Sequence, residues 1–509
     1  MSIKRSTRWL FLLVVGWTAI MVLLQWLRLR GFVHFEYEDD ALYHQLLFNV
    51  RDGIWPTNTI HPLHRPSHFS PVIVLLWPLY AALGSGWMAL FVLKTLLIAS
   101  GALAVYWLAC HAKLNESQAV QWAGIYLMAP PTIALTLSTV RPLALAVGPL
   151  LFVLWAFVTG RLRLFMVLTF CVLAFREDLG LTVATLSLIA LYERRGWKWT
   201  AAPLVLGLGW LVCTTQFILP HILPASYSDV IVSSNLSEAG WWASLANIAE
   251  PSHVLAVLAL LLPLLFLPLT NPYVVVGAVG IAAICLNRRP FSSNMIHLAA
   301  PAVAAMMCAA VLAFGRWRNR WPHLLRAVWV ATLIAHIQPW IPPTVATPSF
   351  VTEDAGAWTP LHPRLTHQNT QDDVRWAAVS MVPLDASASA VGHLLPALSP
   401  RTTLYEYGHD DSPFLDADWL MLDQANLHNG TGGYITLAPD SLEKHITLLA
   451  PAFKTVFQRD GVALLQRTSN ADPALLRAVK ALVDGRHPRV FTGGEGVTPP
   501  AKKAGGASR

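Results

Sequence analysis

Three adjacent carboxylates, Glu38-Asp39-Asp40, follow shortly after the first apolar run of the chain. Only 13% of the residues are charged, and neighbouring carboxylates repel one another and are costly near hydrocarbon, so this tract requires a specific role. One interpretation is a helix N-terminus with acids in its first turn, because residues 41–47 favour a helix. The other is a catalytic base or a metal ligand at a membrane surface.

Histidines provide a second set of candidates, in the proline-rich segment 61–71. The prolines favour an extended loop, in which His-x-x-His spacing is weak evidence for a metal site. His64 joins Asp39 and Asp40 as a candidate ligand for a divalent cation, Mg²⁺ or Mn²⁺. We favour the other interpretation, in which a histidine such as His68 forms a hydrogen bond to the substrate or its phosphate.

Charged residues at the ends of apolar runs, and one within a run, are further candidates. Arg176-Glu177-Asp178 separates two runs that follow closely, which predicts a charged cavity wall. Lys94 lies inside the second run, where its amine either reaches the interface or binds a lipid phosphate. The remaining candidates for a phosphate site are Arg141, Arg288 and His297.

Composition places these residues in a membrane protein. The chain has 509 residues, 55% of them hydrophobic, and a mean hydropathy of +0.48, which indicates several membrane spans. The basic residues behind the net charge of +7 fall in short loops without interleaved aromatics, so we predict no nucleic-acid partner. The five cysteines form no CxxC pair, and we predict neither a disulfide nor a zinc site.

Hydropathy divides the chain into three parts. We predict a membrane domain at 1–342, an extracytoplasmic α/β domain at 343–470, and a helical extension with a disordered tail at 471–509. Within the α/β domain, short apolar runs predict strands near 389–391, 403–405 and 419–422, and a closing hairpin at 454–466. The predicted spans, about eleven in number, are 9–29, 86–110, 118–138, 141–160, 163–175, 179–193, 199–219, 253–270, 272–287, 297–315 and 322–341.

Charge determines the predicted topology. The apolar segment 71–83 is short and contains Pro78, so we predict a re-entrant or interfacial piece. The Lys and Arg clusters of the loops then fall on one side, which is cytoplasmic by the positive-inside rule. The N-terminus is thus predicted inside, and the first loop, 30–70, outside. An amphipathic stretch in that loop, with Leu42, Leu46 and Val50 on one face, predicts an interfacial helix that presents Asp39 and Asp40.

Several of these motifs resemble a bacterial family of predicted membrane proteins of unknown function, grouped with the C-type, multi-spanning glycosyltransferases. The resemblance covers about residues 35–470 and rests on the order and spacing of short motifs. These are Asp40-Ala41-Leu42-Tyr43-His44-Gln45, His68-Phe69-Ser70-Pro71, Pro78-Leu79-Tyr80, Arg176-Glu177-Asp178, and the C-terminal segments 388–391, 394–401 and 417–423. The resemblance implies a C-type glycosyltransferase fold in the bacterial cytoplasmic membrane. It also implies a sugar donor carried on a polyprenyl phosphate and an extracytoplasmic envelope acceptor, with Asp40 as the best-matching acid.

Two positions depart from the pattern of that family. The family often has an acid where this chain has His44, and a histidine where this chain has Arg141, so the donor and acceptor can differ from those of its relatives.

The candidate residues suit glycosyl transfer. Inverting transfer from a glycosyl phosphate needs one carboxylate to deprotonate the acceptor, and cations to stabilise the departing phosphate. A transporter or flippase of an envelope lipid or glycan, and a non-catalytic scaffold, are the alternatives. We see no internal repeat of the kind that transporters favour.

Overall fold

A computed structural model describes residues 5–32, 37–51, 53, 58–60, 68–222, 245, 247–287, 291, 293–336, 370–408, 413–427 and 441–468. Its first part is helical. The helices are α1 (Arg5–Arg30), α2 (Tyr37–Arg51), α3 (Val72–Ala82), α4 (Trp87–His111), α5 (Glu116–Met128), α6 (Pro130–Leu137), α7 (Pro142–Leu145), α8 (Val147–Val158), α9 (Leu162–Leu173), α10 (Leu179–Ala184), α11 (Leu186–Tyr192), α12 (Trp197–Val212), α13 (Leu219–Ile222), α14 (Pro251–Leu261), α15 (Ala278–Cys285), α16 (Ala300–Trp317) and α17 (Leu324–Ile334). A π-helical turn at Cys213–Ile218 joins α12 to α13, and 3₁₀ turns occupy Asn247–Ala249, Leu262–Leu264, Leu267–Thr270, Pro272–Gly277 and Ser293–Ala299.

Four helical stretches of the described chain are long and apolar enough to cross a membrane: Ser6–Arg30, Trp87–His111, Trp197–His221 and Met295–Trp317. They correspond to four of the predicted spans. The other predicted spans contain shorter helices in the described residues, and proline or irregular backbone interrupts several of them. The stretch 118–138, for example, breaks at Ala129 before Pro130, where proline lacks the amide of a continuous helix. The count of about eleven therefore remains a prediction.

The helix α3 corresponds to the segment that we predict not to span. It has 11 residues and contains Pro78, so it is about 16 Å long, against a hydrocarbon core of about 30 Å. Its first amide, of Val72, donates to the carbonyl of Ala174 at 2.9 Å. The helix therefore begins beside the junction between α9 and α10.

The inner helices of the bundle are α4 and α16. In the most apolar 18-residue segment of each membrane-spanning stretch, 67% of the residues are buried for α4 and 83% for the stretch that contains α16. The corresponding values are 28% for α1 and 22% for α12. Glycine lets α8 approach α4: a Cβ at Gly148 would lie 2.0 Å from the carbonyl oxygen of Leu97. Close backbone contact of this kind is how helices associate in a membrane, where burial from water supplies little force.

Residues 370–468, described with two gaps, form what we term the C-terminal α/β unit. Its elements are α18 (Thr370–Ser380), β1 (Ala388–Ala390), a 3₁₀ turn at Gly392–Leu394, α19 (Leu395–Leu398), β2 (Leu404–Glu406), a 3₁₀ turn at Phe414–Asp416, β3 (Trp419–Asp423), α20 (Gln424–Leu427), α21 (Ser441–Leu449), β4 (Phe453–Arg459) and β5 (Val462–Arg467). The strand order is β2-β1-β3-β5-β4. Strands β1, β2 and β3 are parallel, and β5 runs antiparallel to β3 and β4.

The predicted hairpin is present as β4 and β5. Asp460 and Gly461 connect the strands with φ angles of 47° and 79°, the left-handed backbone that a two-residue turn requires. The predicted domain boundaries at 342–343 and 470–471, and the whole C-terminal tail, lie outside the described residues.

Candidate active site

Asp39 and Asp40 lie in the first turn of α2, where the helix dipole favours acids. The backbone amide of Val140 donates to Oδ1 of Asp40 at 2.7 Å. The guanidinium of Arg141 donates through Nε to Oδ2 of Asp39 at 2.6 Å, and its Nη2 contacts the same oxygen. Two adjacent acids are therefore held by two adjacent residues of a distant segment.

The segment that holds them is extended because a proline follows it. Arg141 has φ −133° and ψ 137° and immediately precedes α7, which begins at Pro142. Proline excludes helical backbone at the residue before it and is well suited to the first position of a helix. The break between α6 and α7 thus leaves the amide of Val140 directed at Asp40 instead of at a helical carbonyl.

Arg141 also joins a third predicted candidate to this group. Its Nη1 lies 2.7 Å from Nδ1 of His297, which belongs to the 3₁₀ turn before α16. The guanidinium therefore connects α2 to the 3₁₀ turn that precedes α16. Its three nitrogens make contacts in a planar fork, a geometry that an ammonium group does not offer.

A second charged group lies at the junction of α9 and α10. Oε1 of Glu177 lies 2.5 Å from Nδ1 of His68, and its Oε2 accepts from the amide of Phe69 at 3.0 Å. Arg176 forms an ion pair with Asp178 at 2.8 Å. The guanidinium of Arg176 is near enough to repel that of Arg141. The two charged groups are therefore neighbours.

A small cavity lies behind Asp40, between α1, α4 and the end of α6. It provides about 20 Å³ for the centres of water-sized molecules, which is room for about one water. The Nζ of Lys94 donates to the carbonyl of Ser138 beside it. Arg28 also lines the cavity, so a carboxylate and two cations share one buried space. The complete lining is Gln25, Arg28, Leu29, Asp40, Trp87, Phe91, Lys94, Leu137, Ser138 and Val140.

Arg28 and Gln25 are site residues that sequence reasoning missed. Both lie on α1, which reads as an ordinary first span with basic residues at its end. Gln25 donates to Thr95 of α4 at 2.8 Å. The spacing of Gln25, Arg28 and Leu29 places all three on one face of α1. Two polar residues on one face of an apolar helix are the sequence pattern that could have identified Gln25 and Arg28 as candidates.

Two predicted candidates, His64 and Arg288, lie outside the described residues. Among the residues that the structure describes, no group of three or more His, Cys, Asp or Glu side chains could hold a metal. Oδ2 of Asp39 instead accepts from a guanidinium, and Asp40 binds a backbone amide. The described donors do not form the oxygen-rich ligand set that Mg²⁺ or Mn²⁺ prefers, so we derive no step through a divalent cation.

Two solved structures have a similar fold. ArnT from Cupriavidus metallidurans bound to undecaprenyl phosphate has a TM-score of 0.53 at 13% identity, and the match covers 90% of this chain and 99% of that one. ArnT from the same organism in the apo state gives 0.55 at 12% identity, with coverage of 92% and 100%. The protein thus shares the fold of ArnT, which is a C-type glycosyltransferase, in agreement with the resemblance.

Comparison with proteins of curated function gives no match. The model of one protein family, described as "Predicted membrane protein (DUF2079)", matches residues 37–462. This range begins at the first residue of α2 and extends to the start of β5. It includes both charged groups, most of the C-terminal α/β unit and the cavity lining other than Gln25, Arg28 and Leu29 of α1. The chain therefore belongs to the DUF2079 family of predicted membrane proteins.

Proposed function

We propose that the protein is a membrane glycosyltransferase that moves a sugar from a polyprenyl-phosphate donor to an acceptor outside the cytoplasm. The observation that supports this proposal best is the cavity that Asp40 shares with Lys94 and Arg28. A carboxylate can accept a proton there, and the two cations can stabilise a phosphate. The cavity has room for about one water, so the proposal requires it to widen when the donor binds. The ArnT structure with undecaprenyl phosphate has the same fold at 13% identity, which supports a lipid-phosphate donor.

The proposed reaction is a single displacement with inversion. The acceptor hydroxyl transfers its proton to Asp40 as its oxygen attacks the anomeric carbon of the sugar. The bond between that carbon and the phosphate oxygen breaks, and the polyprenyl phosphate leaves with the electron pair. Lys94 and Arg28 bind the negative charge that develops on the leaving group, and their burial strengthens that interaction.

Asp40 suits the role of base better than Asp39. An oxygen of Asp39 is bound by the Nε of Arg141, so proton transfer to that oxygen requires the ion pair to break. Asp40 instead accepts from the neutral amide of Val140 and lines the cavity. We assign Asp39 to the placement of Arg141.

The direct experiment compares Asp40→Asn with Asp385→Asn in cells that lack the chromosomal copy. Asp385 is an exposed acid of the C-terminal α/β unit, so the control makes the same chemical change away from the cavity. Envelope glycans profiled by mass spectrometry should match the deletion for Asp40→Asn and the wild type for Asp385→Asn. An Asp40→Asn variant that is made in normal amounts and restores the wild-type profile would refute the proposal and favour a transporter or a scaffold.

The proposed orientation has the N-terminus in the cytoplasm of a bacterium and the C-terminal α/β unit outside the cytoplasmic membrane. A single cysteine at the exposed Ser380, in a chain whose five native cysteines are replaced, tests it. A membrane-impermeant maleimide should label this cysteine in intact cells. Labelling that needs permeabilised cells would place the unit inside and contradict an extracytoplasmic acceptor.

A further inference from the structure

A buried chain of hydrogen bonds links α2 to the C-terminal α/β unit. His44, one turn after Asp40 on α2, is completely buried. Its Nδ1 lies 2.7 Å from the hydroxyl of Ser399, and its Nε2 lies 2.8 Å from the hydroxyl of Tyr80 on α3. Polar groups removed from water in this way are costly unless every one is satisfied, so the contact requires a precise fit.

The direction of each hydrogen bond follows from the number of protons available. Burial lowers the pKa of His44 to about 3, although the negative charge of Asp40 opposes the shift, so the ring is neutral. Ser399 donates its one hydroxyl proton to the carbonyl of Pro396 at 2.7 Å. It must therefore accept from Nδ1–H of His44, and Nε2 accepts from the hydroxyl of Tyr80.

Other contacts from the same stretch of the unit reach α2 and α4. Gln45, next to His44, donates to the carbonyl of Thr402 at 3.1 Å. The indole of Trp87, which lines the cavity, donates to the carbonyl of Pro396 at 2.8 Å. Residues 396–402 thus contact the helix that carries Asp40 and the first residue of the helix that carries Lys94.

The end of α1 is held by a different part of the unit. Trp376 of α18 donates to the carbonyl of Arg30 at 2.9 Å, and its rings lie 5.1 Å from the ring of Phe32. The guanidinium of Arg375 lies over the same phenyl ring at 5.4 Å. This anchor follows closely after Arg28, which lines the cavity from α1.

We propose that the C-terminal α/β unit positions the reacting groups, with His44 as the positioning residue that fixes Asp40 relative to Lys94 and Arg28. The inference rests on the proposed function only in giving Asp40 its chemical role. A unit that merely covered the bundle could do so with apolar contacts. It would not need a buried histidine bonded at both nitrogens one turn from the acid.

Hydrogen–deuterium exchange of the full-length protein in nanodiscs tests the placement of α2 without any substrate. Ser399→Ala removes the acceptor of His44, and Ser380→Ala makes the same change at an exposed serine of α18. Peptides of 37–51 should exchange about tenfold faster in Ser399→Ala, by the loss of one buried hydrogen bond. Peptides of 300–317 should not change, and Ser380→Ala should match the wild type throughout. Unchanged exchange in 37–51, or faster exchange in every peptide, would overturn the inference.

Substitutions of His44 separate placement from simple support of the fold. His44→Ala should lower glycan product at least tenfold in cells at a matched protein level. His44→Asn should restore much of it, because its amide can donate to Ser399 in place of Nδ1–H. Equal loss in both variants, or no loss in either, would count against a positioning role.

The two proposals fail in different ways. If Asp40→Asn leaves the glycan profile unchanged while Ser399→Ala accelerates exchange in α2, the glycosyltransferase proposal fails and the structural coupling stands. If Asp40→Asn abolishes product while Ser399→Ala changes neither exchange nor product, the positioning inference fails and the glycosyltransferase proposal stands.

Discussion

The Nε of Arg141 lies 2.6 Å from Oδ2 of Asp39, although the two residues are 102 positions apart. The neighbouring acid, Asp40, instead accepts a hydrogen bond from the neutral amide of Val140. Two carboxylates that are adjacent in the sequence thus have different hydrogen-bond donors. In the proposed function, Asp39 would hold Arg141 in place and Asp40 would take up a proton.

We expect Arg141→Lys to lower product at least tenfold, because one ammonium cannot reproduce contacts made by Nε, Nη1 and Nη2. The change in stability should be smaller than for Arg141→Ala, since lysine keeps a positive charge beside Asp39. Envelope glycan profiles and thermal unfolding in detergent measure the two effects. Arg459→Lys is the matched control, because that side chain is 70% exposed. Equal activity of the two variants would contradict a role for the three guanidinium contacts of Arg141 in the site.

Lys94→Met should lower both activity and stability. The variant leaves the buried carbonyl of Ser138 without its ammonium donor and Asp40 without one of the cations of its cavity, and removing one partner of a buried polar contact is destabilising. The variant should lose the product, because a cation of the proposed phosphate site is gone. Thermal unfolding and glycan profiles should be compared with those of Lys454→Met, a change at an exposed residue of β4. Full activity of Lys94→Met would exclude Lys94 from phosphate binding.

A pair of glycine substitutions tests the packing of α4 against α8. Gly148→Ala places a methyl group 2.0 Å from the carbonyl oxygen of Leu97, so the helices must separate, which typically costs about 1–3 kcal/mol. Gly209→Ala meets no atom within 4 Å on α12 and should leave the unfolding temperature unchanged or raise it slightly, because alanine favours helix more than glycine does. Equal unfolding temperatures for the two variants would show that α4 and α8 do not approach as closely as described.

Acid should weaken the C-terminal α/β unit through Asp423. Burial raises the pKa of this carboxyl. The hydrogen bonds and charges of His393 and Arg375 lower it by more than burial raises it, so the pKa is about 2. Because the pKa is depressed on folding, the stabilisation is complete well above the unfolded value of 3.8. It is lost as the pH falls through about 2, and it amounts to about 2 kcal/mol at pH 7.

Asp423→Asn should therefore be less stable than the wild type at pH 7, and this deficit should shrink towards pH 2. Urea unfolding of the detergent-solubilised chain at both pH values measures the difference. Asp385→Asn, at an exposed acid, should show no deficit at either pH. A deficit for Asp423→Asn that does not depend on pH would mean that it arises from altered packing.

Local patterns predicted the elements with strong periodicity. Continuous apolar runs identified α1, α4, α12 and α16, and Asp460-Gly461 identified the hairpin of β4 and β5. The membrane architecture and the family resemblance gave the fold class. Each of these follows from residues close together in the chain.

The partners of the site residues could not be predicted in this way. Asp39 with Arg141, and His68 with Glu177, pair across more than a hundred residues, and no local pattern encodes such pairs. In the sequence His44 is a departure from a family motif, whereas in the structure it forms a buried hydrogen bond between α2 and the C-terminal α/β unit. These residues differ from other polar side chains in being buried, and burial cannot be read from the sequence.

The contact between His44 and Ser399 also bears on how the protein is made. The two residues are 355 positions apart, and ribosomes add about 5–20 residues per second. The helix that carries Asp40 therefore emerges on the order of tens of seconds before its partner is synthesised. During that interval the bundle can enter the membrane but lacks the contact that fixes α2. A nascent or truncated chain would thus be inserted yet inactive, and completion of the C-terminal α/β unit would serve as the last step of maturation.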